Sequence, residues 1–68
     1  MNIDEVDFLD QGSDSPAFMH LTKSEGGGIS IRLDIVKNGD FDLSVSVEDA
    51  RRLGERLVAA ADEVASEQ

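Results

Sequence analysis

His20 is the only imidazole in this sequence and there is no cysteine, so nucleophilic catalysis of the thiolate–imidazole kind and thiolate metal binding are both excluded. A lone histidine can still serve as a general base or a metal ligand where carboxylates converge on it. Set among Ala17, Phe18, Met19, Leu21 and Thr22, it reads instead as a strand residue that shares a face with Phe18 and Thr22, opposite Met19 and Leu21, and looks to solvent. No catalytic residue and no cofactor or metal ligand follows from it.

Two sets of oxygen donors, Asp7, Asp10 and Asp14, then Asn38, Asp40 and Asp42, have the hard-ligand chemistry that calcium takes. Neither has the spaced loop closed by a glutamate that a calcium site needs, and both read as solvated turn residues. Gly26-Gly27-Gly28 suggests a phosphate cradle. No Gly-Lys-Ser/Thr follows, however, and the next element is a strand, which offers no helix N-terminus to an anion. Arg51, Arg52 and Arg56 form a short basic stretch interleaved with Glu48 and Glu55 at salt-bridge spacing, the pattern of a solvated helix face.

The elements that must carry these residues are set by hydrophobic period. Ile29, Ile31, Leu33 and Ile35 alternate with polar residues, as do Phe41, Leu43, Val45 and Val47, which gives two half-buried strands. Lys37-Asn38-Gly39-Asp40 lies between them, and Asn-Gly in that setting is a strong hairpin signal. A two-residue turn would set Ile35 opposite Asp42 and put the two apolar rows on opposite sides of the sheet. An odd loop of Lys37, Asn38 and Gly39 repairs this: Ile35 then faces Phe41, Leu33 faces Leu43 and Ile31 faces Val45, with Gly39 left-handed in a bulge.

Residues 17–23 read as a further strand, 24–28 as its flexible connection and 10–16 as a loop, while residues 3–9 fit a fourth, edge strand, a short helical turn or a loose arm, of which the strand is preferred. After the last strand, Ser46 and Asp49 make an approximate capping box, and Glu48 and Asp49 place negative charge where the helix dipole favours it. At 100° per residue Ala50, Leu53, Gly54, Leu57, Val58, Ala61 and Val64 fall in one broad arc, with the charged residues outside it. Gly54 costs a helix about 1 kcal/mol relative to Ala, which predicts a close backbone approach to a strand or a second helix. The row Ala50, Leu53, Leu57, Ala60 and Val64 spans barely two heptads, so packing on the chain's own sheet is a better use of this face than a coiled coil.

The expected architecture is one α+β domain over residues 1–68. An antiparallel β-meander has three strands over 17–47 and a fourth if the acidic segment over 1–16 supplies its edge strand, and it is followed by a helix over 47–66 packed on one sheet face. A chain of 68 residues buries only about 60% of its unfolded surface, and without disulfides its remaining routes to stability are exceptional packing or self-association. A homodimer is expected. If the sheet takes the helix's apolar arc, the dimer contacts must come from the edge strand, from the helix flank with Gly54 and Ala61, or from Phe8, Leu9 and Phe18.

Fifteen acidic against six basic residues leave a net charge of -9, which repels nucleic-acid phosphate and anionic membrane and favours a basic protein partner. Asp4, Glu5, Asp7, Asp10 and Asp14 are candidate contacts for such a partner. No apolar run approaches the roughly 18 residues of a membrane span, and the start of the chain lacks the basic and apolar signature of a signal peptide, so a cytoplasmic location is expected.

The segment Val45-Ser46-Val47-Glu48-Asp49-Ala50-Arg51-Arg52-Leu53, continued by Leu57-Val58-Ala59-Ala60-Ala61-Asp62, resembles the endings of small uncharacterised proteins from actinobacteria and their phages. The resemblance covers about a third of the chain. It implies a small accessory or phage-encoded protein and carries over no site residue. Three function classes follow: a non-enzymatic protein-interaction or regulatory domain, as the leading reading; an acidic inhibitor or nucleic-acid mimic in the basic groove of a host protein; and an enzyme or small-ligand binder, for which the sequence offers no convergent titratable groups.

Overall fold

The computed structural model describes residues 2–67. Strands β1 (Asn2–Asp10), β2 (Ser15–Lys23), β3 (Ile29–Ile35) and β4 (Gly39–Val45) are followed by helix α1 (Val47–Ser66). The strands form one antiparallel sheet in chain order, so the fold is an α+β meander with a single C-terminal helix and the first segment is indeed its edge strand. No described helix is long and apolar enough to cross a membrane.

Alternation in the sequence becomes two chemically distinct faces through the strand register. Val6, Met19, Leu33 and Phe41 form one cross-strand row, and Phe8, Ala17 and Ile35 form a second. Leu21, Ile31 and Leu43 form a third, with Asp4 at its β1 end, and Ile29 with Val45 a fourth, with Lys23 at its β2 end. All lie on one side. The other side carries the row Asp7, Phe18, Asp34 and Asp40 and the row Glu5, His20, Arg32 and Asp42. Thr22, Ser30 and Ser44 continue it.

The β3–β4 loop has the odd length that apolar parity demands, and Gly39 is left-handed at φ 93°. The register nevertheless differs from expectation by one cross-strand pair. Ile35 pairs with Gly39, Leu33 with Phe41 and Ile31 with Leu43, so the loop is Val36, Lys37 and Asn38. The reason is the position of the turn: the Asn38 N–H donates to the Ile35 carbonyl at 2.9 Å, which closes a four-residue turn one step earlier, so Gly39 is left-handed as expected but sits in the regular ladder opposite Ile35 and not in a bulge. Both apolar rows still share a face, because a shift of two residues preserves parity.

β2 begins at Ser15 rather than at residue 17, and β4 ends at Val45, so Val47 is helical rather than extended. Ser15 is the most buried polar residue. Its Oγ accepts the Lys37 N–H at 3.1 Å, Val36 N–H donates to the Pro16 carbonyl, and the Lys37 ammonium donates to the Ser13 carbonyl at 3.1 Å. These bonds tie the β1–β2 and β3–β4 turns together at one end of the sheet. Asp10 closes its own turn by accepting from Gly12 N–H and Ser13 Oγ–H, and Asp14 adopts φ 52°, which Asp tolerates better than most residues.

At the opposite end, Gly28 allows β3 to meet the exit of β4. A Cβ on Gly28 would drive into the Val45 carbonyl oxygen, which accounts for the last glycine of the triplet. Gly27 serves the turn itself, with φ 89°, and Ser24 caps the loop by accepting the Gly28 N–H at 3.0 Å. Just beyond Val45, Ser46 accepts the Asp49 N–H at 3.0 Å and starts α1 with Glu48 and Asp49 in its first turn, as the capping pattern predicts.

Candidate functional site

The candidate titratable site lies on the polar face of the sheet. His20, Thr22, Arg32, Asp34 and Asp42 border a hollow there, with His20 on the solvent side as its strand parity predicts. The groups around it are already engaged with one another. Arg32 donates to both carboxylate oxygens of Asp42, at 2.9 and 3.2 Å, and His20 Nδ1 lies 3.7 Å from the Glu5 carboxylate. The hydrogen bond from Arg32, and then its charge, hold the Asp42 carboxyl below the usual aspartate range, and Asp42 in turn holds the guanidinium proton more tightly. Ser30 and Ser44 hydrogen-bond across the strands at 3.1 Å. The hollow is a shallow depression on a flat sheet, and its cation and one of its carboxylates neutralise each other. Among the described residues, no three of His20 and the carboxylates come close enough to share a metal ion.

The apolar face is built differently. Among the described residues Ala17, 1% exposed, is the only buried hydrophobic residue. Phe41 on edge strand β4 is 54% exposed with Leu43 exposed beside it, and Val6 and Phe8 are exposed on β1 at the opposite edge, while Met19 and Leu33 between them are half-buried. The helix covers one corner. Ala50, Leu53, Gly54 and Leu57 stand across a crevice of about 320 Å³ from Met19, Leu21, Ile29 and Ile31, with Ile3 from the irregular start of β1 at its edge. Expected to pack one face on the sheet, α1 buries no residue, and Leu57 at 74% and Val58 at 61% are more exposed than Phe41.

Gly54 is a second departure. Nothing lies within 4 Å of the position its Cβ would take, so no strand or helix of this chain makes the close approach its cost predicts. The physical cause is the stand-off of the helix, whose Leu53 and Leu57 look toward the sheet across the crevice and are not packed on it.

The candidate interaction residues are separated by the register. Phe8 pairs with Ala17 and belongs to the apolar face, whereas Phe18 and Leu9 fall on the polar side. Gly54 and Ala61 lie on the exposed helix. Asp4, Glu5, Asp7 and Asp10 line edge strand β1, Glu5 and Asp7 on the polar face, and Asp14 sits in the turn after it. The surface that sequence reasoning passed over is the remainder of the apolar face, Val6, Phe41 and Leu43 above all. Its signal was present in the excess of alternating apolar positions on four strands over what one helix can cover. No protein-family model, curated protein or solved structure matches this chain.

Proposed function

We propose that this protein is a non-enzymatic interaction module whose working surface is the apolar face of its sheet. One observation carries the reading: four strands present a continuous apolar face that the chain's own helix leaves open from Val6 and Phe8 to Phe41 and Leu43. Apolar patches of this kind on small domains mark places where another macromolecule docks. Against a catalytic role stands the polar hollow, where Asp42 is committed to Arg32 and the half-buried histidine lies beside Glu5.

The test combines a hydrophobic dye with the hydrodynamic size of the purified chain. An open face binds anilinonaphthalene sulfonate, and a face already in use makes the particle larger than one chain. A single chain that binds no dye would sink the proposal.

A second reading, an acidic inhibitor or nucleic-acid mimic in a basic groove, draws support from one arrangement. Asp7, Asp34 and Asp40 share a cross-strand row, with Glu5 and Asp42 in the next, so five carboxylates occupy one exposed face of a chain with net charge -9. Binding to a polycationic partner that persists unchanged through a rise in salt would exclude it, since exposed charge pairs are screened within about 10 Å at 0.1 M.

A further inference from the structure

We infer that the occupant of the apolar face is a second copy of this chain, with the helix of each protomer laid over the uncovered part of the other's sheet. The inference rests on the interaction-module reading and supplies its partner.

Area is the first argument. The chain exposes 5391 Å², whereas a compact protein of its mass, 7.3 kDa, exposes about 4,200 Å² by the usual surface scaling. The excess, roughly 1,200 Å² per chain, exceeds the about 800 Å² per partner of a standard interface and reaches the range of obligate homodimers. The radius of gyration agrees: 13.5 Å against about 11 Å for a compact chain of this length.

Complementarity is the second. The chain holds two unsatisfied apolar surfaces of matched kind, a sheet region without a helix and a helix without a sheet. Only positions 50–57 of α1 border the crevice. A 20-residue helix is about 30 Å long, and the nearly half of it that follows Leu57, with Val58, Ala61 and Val64, has nothing to rest on. A two-fold axis turns one deficit toward the other in both directions at once, which is the condition for a closed, isologous dimer. Gly54, with open space where a Cβ would stand, then has the close approach that its helix cost requires.

Charge decides against the other surfaces. Edge strand β1 carries Asp4, Glu5, Asp7 and Asp10, and edge strand β4 carries Asp40 and Asp42. Two copies meeting edge to edge or polar face to polar face would bring carboxylates together. Asp4 and Asp10 reach the apolar side only at its β1 rim; the rows on β2, β3 and β4 and the apolar arc of the helix hold no carboxylate.

Sedimentation equilibrium on the full chain, from nanomolar to high micromolar concentration, tests the inference alongside the Leu57→Glu variant. Leu57 is so exposed within one chain that the substitution leaves the fold intact, which circular dichroism checks. Across an apolar interface, a buried charge is expected to weaken association about 100-fold or more. Added salt is expected to tighten the native dimer by screening the repulsion between two chains of -9. A native dimer that Leu57→Glu dissociates, with the helix retained, supports the inference. A native dimer indifferent to Leu57→Glu overturns it, because the interface then lies elsewhere. A native monomer that binds anilinonaphthalene sulfonate also overturns it while leaving the interaction-module reading in place. A native monomer that binds no dye overturns both.

Discussion

Ile31 and Arg32 are neighbours on β3 and point to opposite faces of the sheet, and their surroundings differ in kind. Arg32 has its counter-charge on the adjacent strand, with both guanidinium bonds made to Asp42. Ile31 has Leu21 and Leu43 beside it and a crevice above it where a packed helix would lie. The polar face is completed by short-range pairing within the sheet, because cross-strand partners 4.5–5.5 Å apart, a spacing general to antiparallel sheets, suffice for hydrogen bonds. The apolar face needs a second layer about 10 Å away, and one helix of this length, tethered at the Val45 corner, covers only part of it.

That contrast can be broken most forcefully from the apolar side. Ile31→Ala is expected to lower stability by about 2 kcal/mol, the low end for truncating a buried aliphatic residue, because Ile31 is half-buried at the crevice. In a domain of this size each kcal/mol moves the thermal midpoint by roughly 4–8 °C, so calorimetry reads the loss directly. A cost no larger than that of a surface substitution would mean that the crevice stays open and solvated in solution.

A smaller loss is expected at the far end of the sheet, where Ser15 joins the two turns. Ser15→Ala removes the acceptor of the Lys37 N–H and leaves a shielded donor unpaired, at a cost of about 1–2 kcal/mol. Amide exchange sharpens the result: the Lys37 and Val36 amides are expected to lose protection while those of β2 and β3 near His20 keep theirs. Uniform loss across the sheet would show that the two turns are not a local unit.

The smallest effect belongs to the polar face. Arg32→Ala is expected to leave the thermal midpoint at neutral pH unchanged within the resolution of the measurement, since both partners are exposed and such pairs contribute little. Its trace lies in acid. The Asp42 carboxyl is held below its ordinary value in the folded chain, so its contribution to stability is present above the unfolded value and fades as pH falls through the folded one. In acid titrations below the usual aspartate range, the native chain should therefore lose slightly more stability than Arg32→Ala. Equal acid limbs would show that the pair does not persist in solution.

Much of this fold was legible beforehand because alternation and capping are local. The odd β3–β4 loop follows from parity alone, and Ser46 with Asp49 announces the helix start. The exact pairing escaped, since parity is blind to a shift of two residues and the turn's hydrogen bond from Asn38 to Ile35 decides it. Ser15 escaped because Gly-Ser-Asp-Ser-Pro has the composition of a loop, although its last serine becomes buried once two distant turns meet. Phe8, Leu9 and Phe18 read as one cluster in the sequence, yet Phe8 and Phe18 lie on opposite faces because their strands pair through Ala17. The open apolar face was hardest to foresee. Periodicity tells which residues seek cover, and says little about whether a single helix is large enough to supply it.

The half-covered sheet also bears on how long a chain survives after synthesis. A solitary copy keeps Phe41 and Leu57 in water, within reach of the chaperones and proteases that triage exposed apolar segments. If pairing shields them, turnover becomes a function of abundance: below the dissociation constant the protein is cleared quickly, above it the protein accumulates. Such a threshold would need no dedicated regulator, only a helix that stands off its own sheet.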